Sequence, residues 1–218
     1  MKKRKNIITV AIDSPAAAGA GTQAKLISKN YNLFYLDTGK IYRYIGLLKL
    51  KNQKKFSYNL VKYKINNMKL SYLKNKSLLS NDVSLLAAKI ARDKKIRHIV
   101  HKFQQKYAYN PPKKYSGSIL DGRDIITVQL KNAMFKFFIT ASVKVRAERR
   151  YMEYKRLNKK ITYKEVLKSL KIRDKSDKER KYGPLKKTKD SILINTTKLS
   201  KKACFEKIKA IMDKKLNN

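Results

Sequence analysis

Cysteine, glycine, proline and acidic residues are scarce in this chain, and tryptophan is absent. The single cysteine, Cys204, excludes an internal disulfide framework and fits a reducing compartment. It falls on the apolar side of a predicted C-terminal helix, with Phe205, Ile208 and Ile211, where a structural thiol is expected. The only two histidines, His98 and His101, are three apart on a basic helical stretch, and no Cys/His cluster has metal-ligand spacing. No metal held by protein ligands is therefore expected, and no Ser/His/Asp order suggests a hydrolytic triad. No apolar run approaches the roughly 18–20 residues that span a bilayer. The basic start, Met1–Asn6, leads into a short strand-like run without the h-region of a signal peptide. A cytoplasmic location and no membrane partner are the expectation.

Acidic residues are outnumbered 15 to 55 by Lys and Arg, which leaves a formal net charge of +40. Such a field attracts nucleotides, nucleic acids and anionic surfaces alike. The lysines are spread over the whole chain, and no aromatic-studded RNA motif accompanies them. Nucleic-acid binding is therefore expected to be incidental and steeply salt-dependent. A basic nucleic-acid-binding protein remains the alternative from a different functional class. Hydrophobic residues, at 42%, suffice for an ordinary core.

The most informative segment runs from Ile8 to Thr22. A β-branched run, Ile7–Ile12, feeds a loop of small residues, and a helix follows over 21–31. Strand, small-residue loop and helix together form the layout of a phosphate-binding P-loop. Backbone N–H groups and a helix N-terminus receive phosphate oxygens in such a loop. Ser14, Ala17, Gly19, Ala20, Gly21 and Thr22 are the candidate residues, and the usual lysine is missing at Ala20. Lys25, one turn further on, points elsewhere in this reading; Lys40 is the more plausible substitute.

Further along, strands and helices alternate. Strands are predicted at Leu33–Leu36, Ser118–Leu120, Phe135–Ile139 and Ser191–Ile194. Helices are predicted over Lys40–Leu50, Val83–Tyr109 with a joint near Asp93, from Val143, from the Thr162/Glu165 capping box toward Arg173, and over Lys201–Leu216. Residues 52–82 break the rhythm, and Met68–Leu73 alternates weakly enough to suggest part of a small antiparallel insert. This pattern implies an α/β fold with an open parallel sheet flanked by helices. Ligands then bind at the carboxyl ends of the strands, where Asp13, Asp37 and Asp121 fall.

Several short constellations join these ends. Asp37–Arg43 offers a hydroxyl, a glycine and an arginine at a helix start. Asp121-Gly-Arg-Asp124 places a cation between two carboxylates. Arg146–Arg150 is a basic helix face, and Arg173–Arg180 is a dense charged run before Gly183-Pro184. Each alone reads as readily as a helix cap, an ion pair or solvated surface.

In this order the motifs resemble those of the bacterial cytidylate kinases, within the P-loop nucleoside monophosphate kinases. Residues 12–22 are similar to the family's IDGPxGxGKGT, residues 36–43 to LD[ST]GAxYR, and residues 120–127 to xDGRDxGT. Phe138–Ser142 with Arg146–Arg150 is similar to FLTAS…RAxRR, Arg173–Arg180 with Pro184-Leu185 to RDxxDxxR…PL, and Ile194–Thr197 to IDTT. The resemblance covers the whole chain, 1–218, as one P-loop NTPase-type domain with a monophosphate-binding insert at about 52–95 and a lid at about 150–186. It implies transfer of the ATP γ-phosphoryl group to CMP or dCMP by a monomer, with Mg²⁺ held mainly by nucleotide phosphates and water. By motif position, Thr38, Arg43, Arg97, Arg123, Asp124, Asp177 and Arg180 would hold the monophosphate. Arg146, Arg150 and Arg173 would approach the transferring group. The chain departs from the pattern at Ser14, Ala17, Ala20, Ala88, Ile126 and Asn195. A catalytically impaired nucleotide-binding homologue is therefore the alternative within the fold.

Overall fold

The computed structural model describes residues 7–217; the basic Met1–Asn6 run lies outside them. Five strands form one parallel sheet in the order β2-β3-β1-β4-β5. They are β1 (Ile8–Asp13), β2 (Leu33–Asp37), β3 (Gly117–Gly122), β4 (Phe135–Thr140) and β5 (Ile192–Asn195). Val10, Ala11 and Ile12 of the central strand are fully buried, as expected of a strand covered on both faces.

Among the described residues, eight α-helices connect and cover the sheet: α1 (Ala20–Asn30), α2 (Thr38–Lys51), α3 (Tyr58–Asn66), α4 (Asn81–Ile90), α5 (Lys94–Tyr109), α6 (Val143–Arg156), α7 (Tyr163–Glu179) and α8 (Lys201–Leu216). One core lies between β1, the strand ends and α1 with α8, built on Ile27, Leu33, Phe137 and Ile208. Cys204 is buried in it. A second core joins the other face of the sheet to α2–α5, built on Ile41, Ile45, Val61, Val100 and Leu120. There α2 and α4 approach so closely that a Cβ at Gly46 would lie 3.1 Å from the Val83 carbonyl oxygen. A third cluster, Ala16, Ala147, Val166 and Leu170, packs α6 and α7 against the loop after β1.

Two expectations change. Met68–Leu73 is not a strand: Leu70–Lys74 forms a 3₁₀ turn, and every regular element of the insert is helical, joined by short linkers. Only Met68 and Leu73 are buried in that segment, so its weak alternation never met a sheet. The helix begun by the Thr162/Glu165 capping box runs past Arg173 to Glu179. In its last turns Arg173, Asp174 and Asp177 face other elements, whereas Lys171, Lys175, Lys178 and Glu179 are exposed. The C-terminal helix and the joint at Asp93, whose carboxylate caps α5 through Ile96 N, lie where the sequence puts them.

Candidate functional site

The strand ends position the site. The carboxylate of Asp13, wholly buried at the end of β1, accepts from the backbone N–H groups of Ile125 (2.7 Å) and Ile126 (2.9 Å). These two residues open a single π-turn, Ile125–Gln129, directly after Asp121–Asp124. Asp13 thus fastens the loop after β1 to the loop after β3. Burial pushes its pKa up to about 7, against the two backbone donors that favour the ionised form. Ile126 is itself core, with its N–H spent on Asp13, so this departure from the family pattern lies outside the cleft.

The loop from Ser14 to Gly19 turns into α1 through two left-handed residues, Ala17 (φ +61°) and Gly19 (φ +92°). Gly19 pays little for this conformation, whereas Ala17 bears the Cβ clash that glycine avoids. Ala20 opens α1 and is buried, 5% exposed. A cleft of about 540 Å³ runs from this loop across the strand ends to α4 and α7. Ser14, Ala17, Gly19, Ala20, Gly21 and Thr22 all line it, and so do Thr38, Arg43, Arg97, Arg123, Asp124, Asp177 and Arg180. Lys25 lines it as well, contrary to the expectation that it points elsewhere, beside Lys40.

At the far end, charged groups interlock. Arg97 pairs with Asp124 through Nη2, gives Nη1 to the Ala91 carbonyl (3.1 Å), and lies over the Tyr42 ring. Arg123 Nε donates to Asp177 Oδ2 at 2.8 Å. Arg180 reaches both carboxylates more loosely, 3.7 Å from Asp124 and 3.8 Å from Asp177, and donates to the Gly183 carbonyl at 2.6 Å. Gly183 (φ +59°) is required there, since a Cβ would collide with Arg97 and Asp124. Thr38 Oγ1 donates to the Asp121 carbonyl at 2.7 Å. Ala88, where the family pattern has a hydroxyl, sits on α4 in the same wall.

The middle of the cleft holds cations in excess. Arg173 is 3.9 Å from its one carboxylate, Asp177, and its Nε lacks a hydrogen-bond partner. Its pKa is pushed down to about 10, first by desolvation and then by Arg123, with Arg43 and Arg150 adding to the effect. Arg43, held by the Leu78 carbonyl (3.1 Å), is lowered by desolvation and by Arg150. Arg43, Arg123, Arg150 and Arg173, with only Asp177 and Glu153 paired to them among the described residues, form a site for an anion of high charge.

Arg146 stands apart from Arg150 and Arg173. It is 4% exposed and does not line the cleft. Its Nε donates to the Ala141 carbonyl (2.9 Å), and Nη1 donates to the Ala16 carbonyl (3.1 Å) and to Asp174 Oδ1 (3.0 Å). Four of its five N–H donors hold α6, α7 and the loop together, so Arg146 is a tether of these elements and not a cation free to meet a transferring group in this arrangement. Sequence reasoning missed Asp174, which makes this so. Its signal was the position beside Arg173 in a run read as solvated charge.

A second cavity of about 510 Å³ opens behind the loop, lined by Gly19, Thr22, Arg149, Arg150, Thr196 and Lys201 among others. Arg149, also unassigned by sequence, donates to Thr196 Oγ1 (2.9 Å) and its carbonyl (2.8 Å), and Thr196 donates to the Ala18 carbonyl (3.1 Å). Asn195 accepts from Thr197 N at 3.0 Å and keeps the adjoining turn. Arg150 lines both cavities, with Nη1 on Glu153 at 2.8 Å.

Mg²⁺ prefers oxygen ligands and retains several waters. Asp37 and Asp121 are opposite each other in register at the ends of β2 and β3. A Cβ at Gly21 would lie 3.4 Å from Asp121 Oδ2, so this carboxylate abuts the phosphate-binding loop. Desolvation and the neighbouring Asp37 push the Asp121 carboxyl up, as expected of an acidic pair that a cation would relieve. The pair fits a hydrated Mg²⁺. Among the described residues there is no cluster of three or more Asp, Glu, His or Cys that would hold a metal by protein ligands alone. No helix among them is long and apolar enough to cross a membrane.

A parallel sheet, a glycine-bearing loop between β1 and α1 and an arginine-lined cleft over the strand ends define the architecture of a P-loop nucleoside monophosphate kinase. The family model described as cytidylate kinase matches residues 10–214, and the chain belongs to that family. It is 39% identical over 218 residues to a cytidylate kinase of Clostridium botulinum strain Hall, covering 95% of this chain and 98% of that one. It is 36% identical to a cytidylate kinase of Thermosipho melanesiensis, covering 94% and 97% of the two chains. A crystal structure of an uncharacterized protein from Eubacterium ventriosum shares the fold, with a TM-score of 0.55 at 16% identity over 94% of this chain and 98% of that one.

Proposed function

We propose that the chain transfers the γ-phosphoryl group of ATP to CMP or dCMP. The observation that carries this reading is the gathering of Arg43, Arg123, Arg150 and Arg173, with only Asp177 and Glu153 paired to them among the described residues, in one cleft with the loop at Gly19–Thr22. Family membership and the names of the relatives support the choice of nucleotides.

In this reading the donor triphosphate lies on the α1 N-terminus, and its nucleoside enters the second cavity. The acceptor phosphate lies among Arg43, Arg123 and Arg180, with its base and sugar toward Arg97, Asp124 and Asp177 in the insert-side half of the cleft. A phosphate oxygen of the acceptor forms a bond to the γ-phosphorus as the bond to the β–γ bridging oxygen breaks. That electron pair leaves with ADP. Asp37 and Asp121 would hold the water shell of Mg²⁺, which would supply charge neutralisation at the donor phosphates. Arg150 and Arg173 face the charge that spreads over the equatorial oxygens. Arg146 is a positioning residue. The insert at about 52–95 and the lid at about 150–186 would enclose the two substrates.

A coupled assay of ADP release from ATP with CMP, dCMP, UMP and AMP as acceptors tests the proposal. Turnover with CMP or dCMP well above that with AMP is expected; equal turnover with all four, or none, overturns it. A second reading, a nucleotide-binding homologue without turnover, is favoured by one observation, the methyl group of Ala20 where a charge belongs. Calorimetric binding of ATP and CMP without ADP release would select it.

A further inference from the structure

We infer that Lys40 supplies across the cleft the phosphate-facing charge that the loop lacks at Ala20. The inference rests on the ATP-dependent reading above. In the family motifs quoted earlier, lysine stands at the position of Ala20 and alanine at that of Lys40. The two departures are therefore reciprocal, and the structure brings them to one place.

Lys40 lies in the first turn of α2, where its N–H donates to Asp37 Oδ1 at 3.2 Å. Asp37 is paired in register with Asp121. Asp121 in turn abuts Gly21, and the Tyr35 hydroxyl, which donates to Asp121 Oδ1 at 3.1 Å, would lie 3.3 Å from a Cβ there. The N-termini of α1 and α2 thus open side by side, and Lys40 lines the same cleft as Gly19, Ala20, Gly21 and Thr22. A lysine is a point charge on a flexible four-carbon stem, so it can approach the β- and γ-phosphates from either wall.

The competing cations are committed or less well placed. Arg146 is buried and held by Asp174 and two carbonyls, and Arg150 is on Glu153. Among the described residues, no ion pair, hydrogen bond or aromatic face engages the Lys40 ammonium. Lys25 is also unpaired among them, but it is exposed and lies more than a turn into α1, past the N–H groups that would receive phosphate. Lys40 is half-buried at the mouth of its helix.

A double-variant cycle on Lys40→Met and Ala20→Lys tests this, with ATP and inorganic tripolyphosphate binding by calorimetry and turnover with CMP as readouts. Lys40→Met is expected to weaken both ligands about tenfold or more, equivalent to about 1.4 kcal/mol, and to lower kcat at saturating ATP. Lys40→Arg should retain most of the affinity, which separates lost charge from lost fold. Ala20→Lys should restore binding in the Lys40→Met background and add little to the wild type. The inference is overturned if Lys40→Met leaves ATP affinity within about twofold, if Ala20→Lys acts equally in both backgrounds, or if Lys25→Met reproduces the loss. If the wild type binds ATP without phosphorylating CMP, the proposed reaction fails while the binding arm still decides the role of Lys40.

Discussion

Asp174→Ala should destabilise the protein more than its position in a charged surface run suggests. The Asp174 side chain is 16% exposed and its partner Arg146 5%. Two parallel N–H···O contacts join them above Ala16, Ala147, Val166 and Leu170. Removing the carboxylate leaves the Arg146 guanidinium buried with only the Ala16 and Ala141 carbonyls. Breaking a buried pair in this way costs about 3–5 kcal/mol. The residual exposure of Asp174 lets water approach and places the expected cost at the lower end, about 3 kcal/mol. That is a large fraction of an ordinary domain's total of about 5–15 kcal/mol. For a chain of this size it corresponds to a Tm fall of about 6–12 °C. Urea unfolding should show a lower midpoint at an unchanged m-value. The double variant Arg146→Met/Asp174→Leu should recover most of the loss, because two apolar side chains leave no buried charge. A cost below about 1 kcal/mol for Asp174→Ala, or a double variant less stable than both singles, would refute the reasoning.

Ala17→Gly should raise Tm by about 1–3 °C, because relief of the left-handed Cβ clash outweighs the added freedom of the unfolded chain; differential scanning fluorimetry checks this. Arg173→Met should raise the stability of the unliganded protein while lowering kcat by about 10²–10³-fold, since it removes one of four mutually repelling cations that would meet the transferring charge. Asp13 binds its proton more tightly in the folded state, up to about pH 7. Its contribution to stability therefore falls as pH rises from about 4 to 7, and the stability difference between wild type and Asp13→Asn, followed by urea unfolding, should shrink over that range. Binding to single-stranded or duplex nucleic acid should collapse between low and physiological salt without sequence preference; a defined-sequence complex stable at about 0.15 M salt would show that the lysine surface is selective.

Periodic apolar residues made most of the framework legible. Val10, Ala11 and Ile12 read as a buried strand, and Ile208 with Cys204 marked the buried face of the last helix. Local capping chemistry was equally readable at Thr162/Glu165 and Asp93. Tertiary electrostatics was not. Asp174 and Asp177 look like solvated lid charges until Arg146 and Arg123 arrive from 28 and 54 residues away. The insert misled for the opposite reason. Within Met68–Leu73 only Met68 and Leu73 reach the core, five residues apart, so the segment mimicked alternation without a sheet edge to pair with. The motifs located the cleft but not the division of labour within it. Arg146 and Arg150 share one helix, yet one is walled in and the other borders both cavities.

The interlocked arginines and aspartates have a consequence for how ions move when the cleft fills. Eight cationic side chains and five carboxylates line it. Asp124 and Asp177 act as resident counter-ions for Arg97, Arg123 and Arg180, so an arriving phosphate at those positions exchanges partners rather than expelling dissolved anions. Glu153 does the same for Arg150, so only the surplus of Arg43, Arg173, Lys25 and Lys40 must borrow chloride or phosphate from the medium while the cleft is empty. The dependence of acceptor affinity on salt should therefore count those few borrowed ions, and stay shallow in a protein whose net charge is +40.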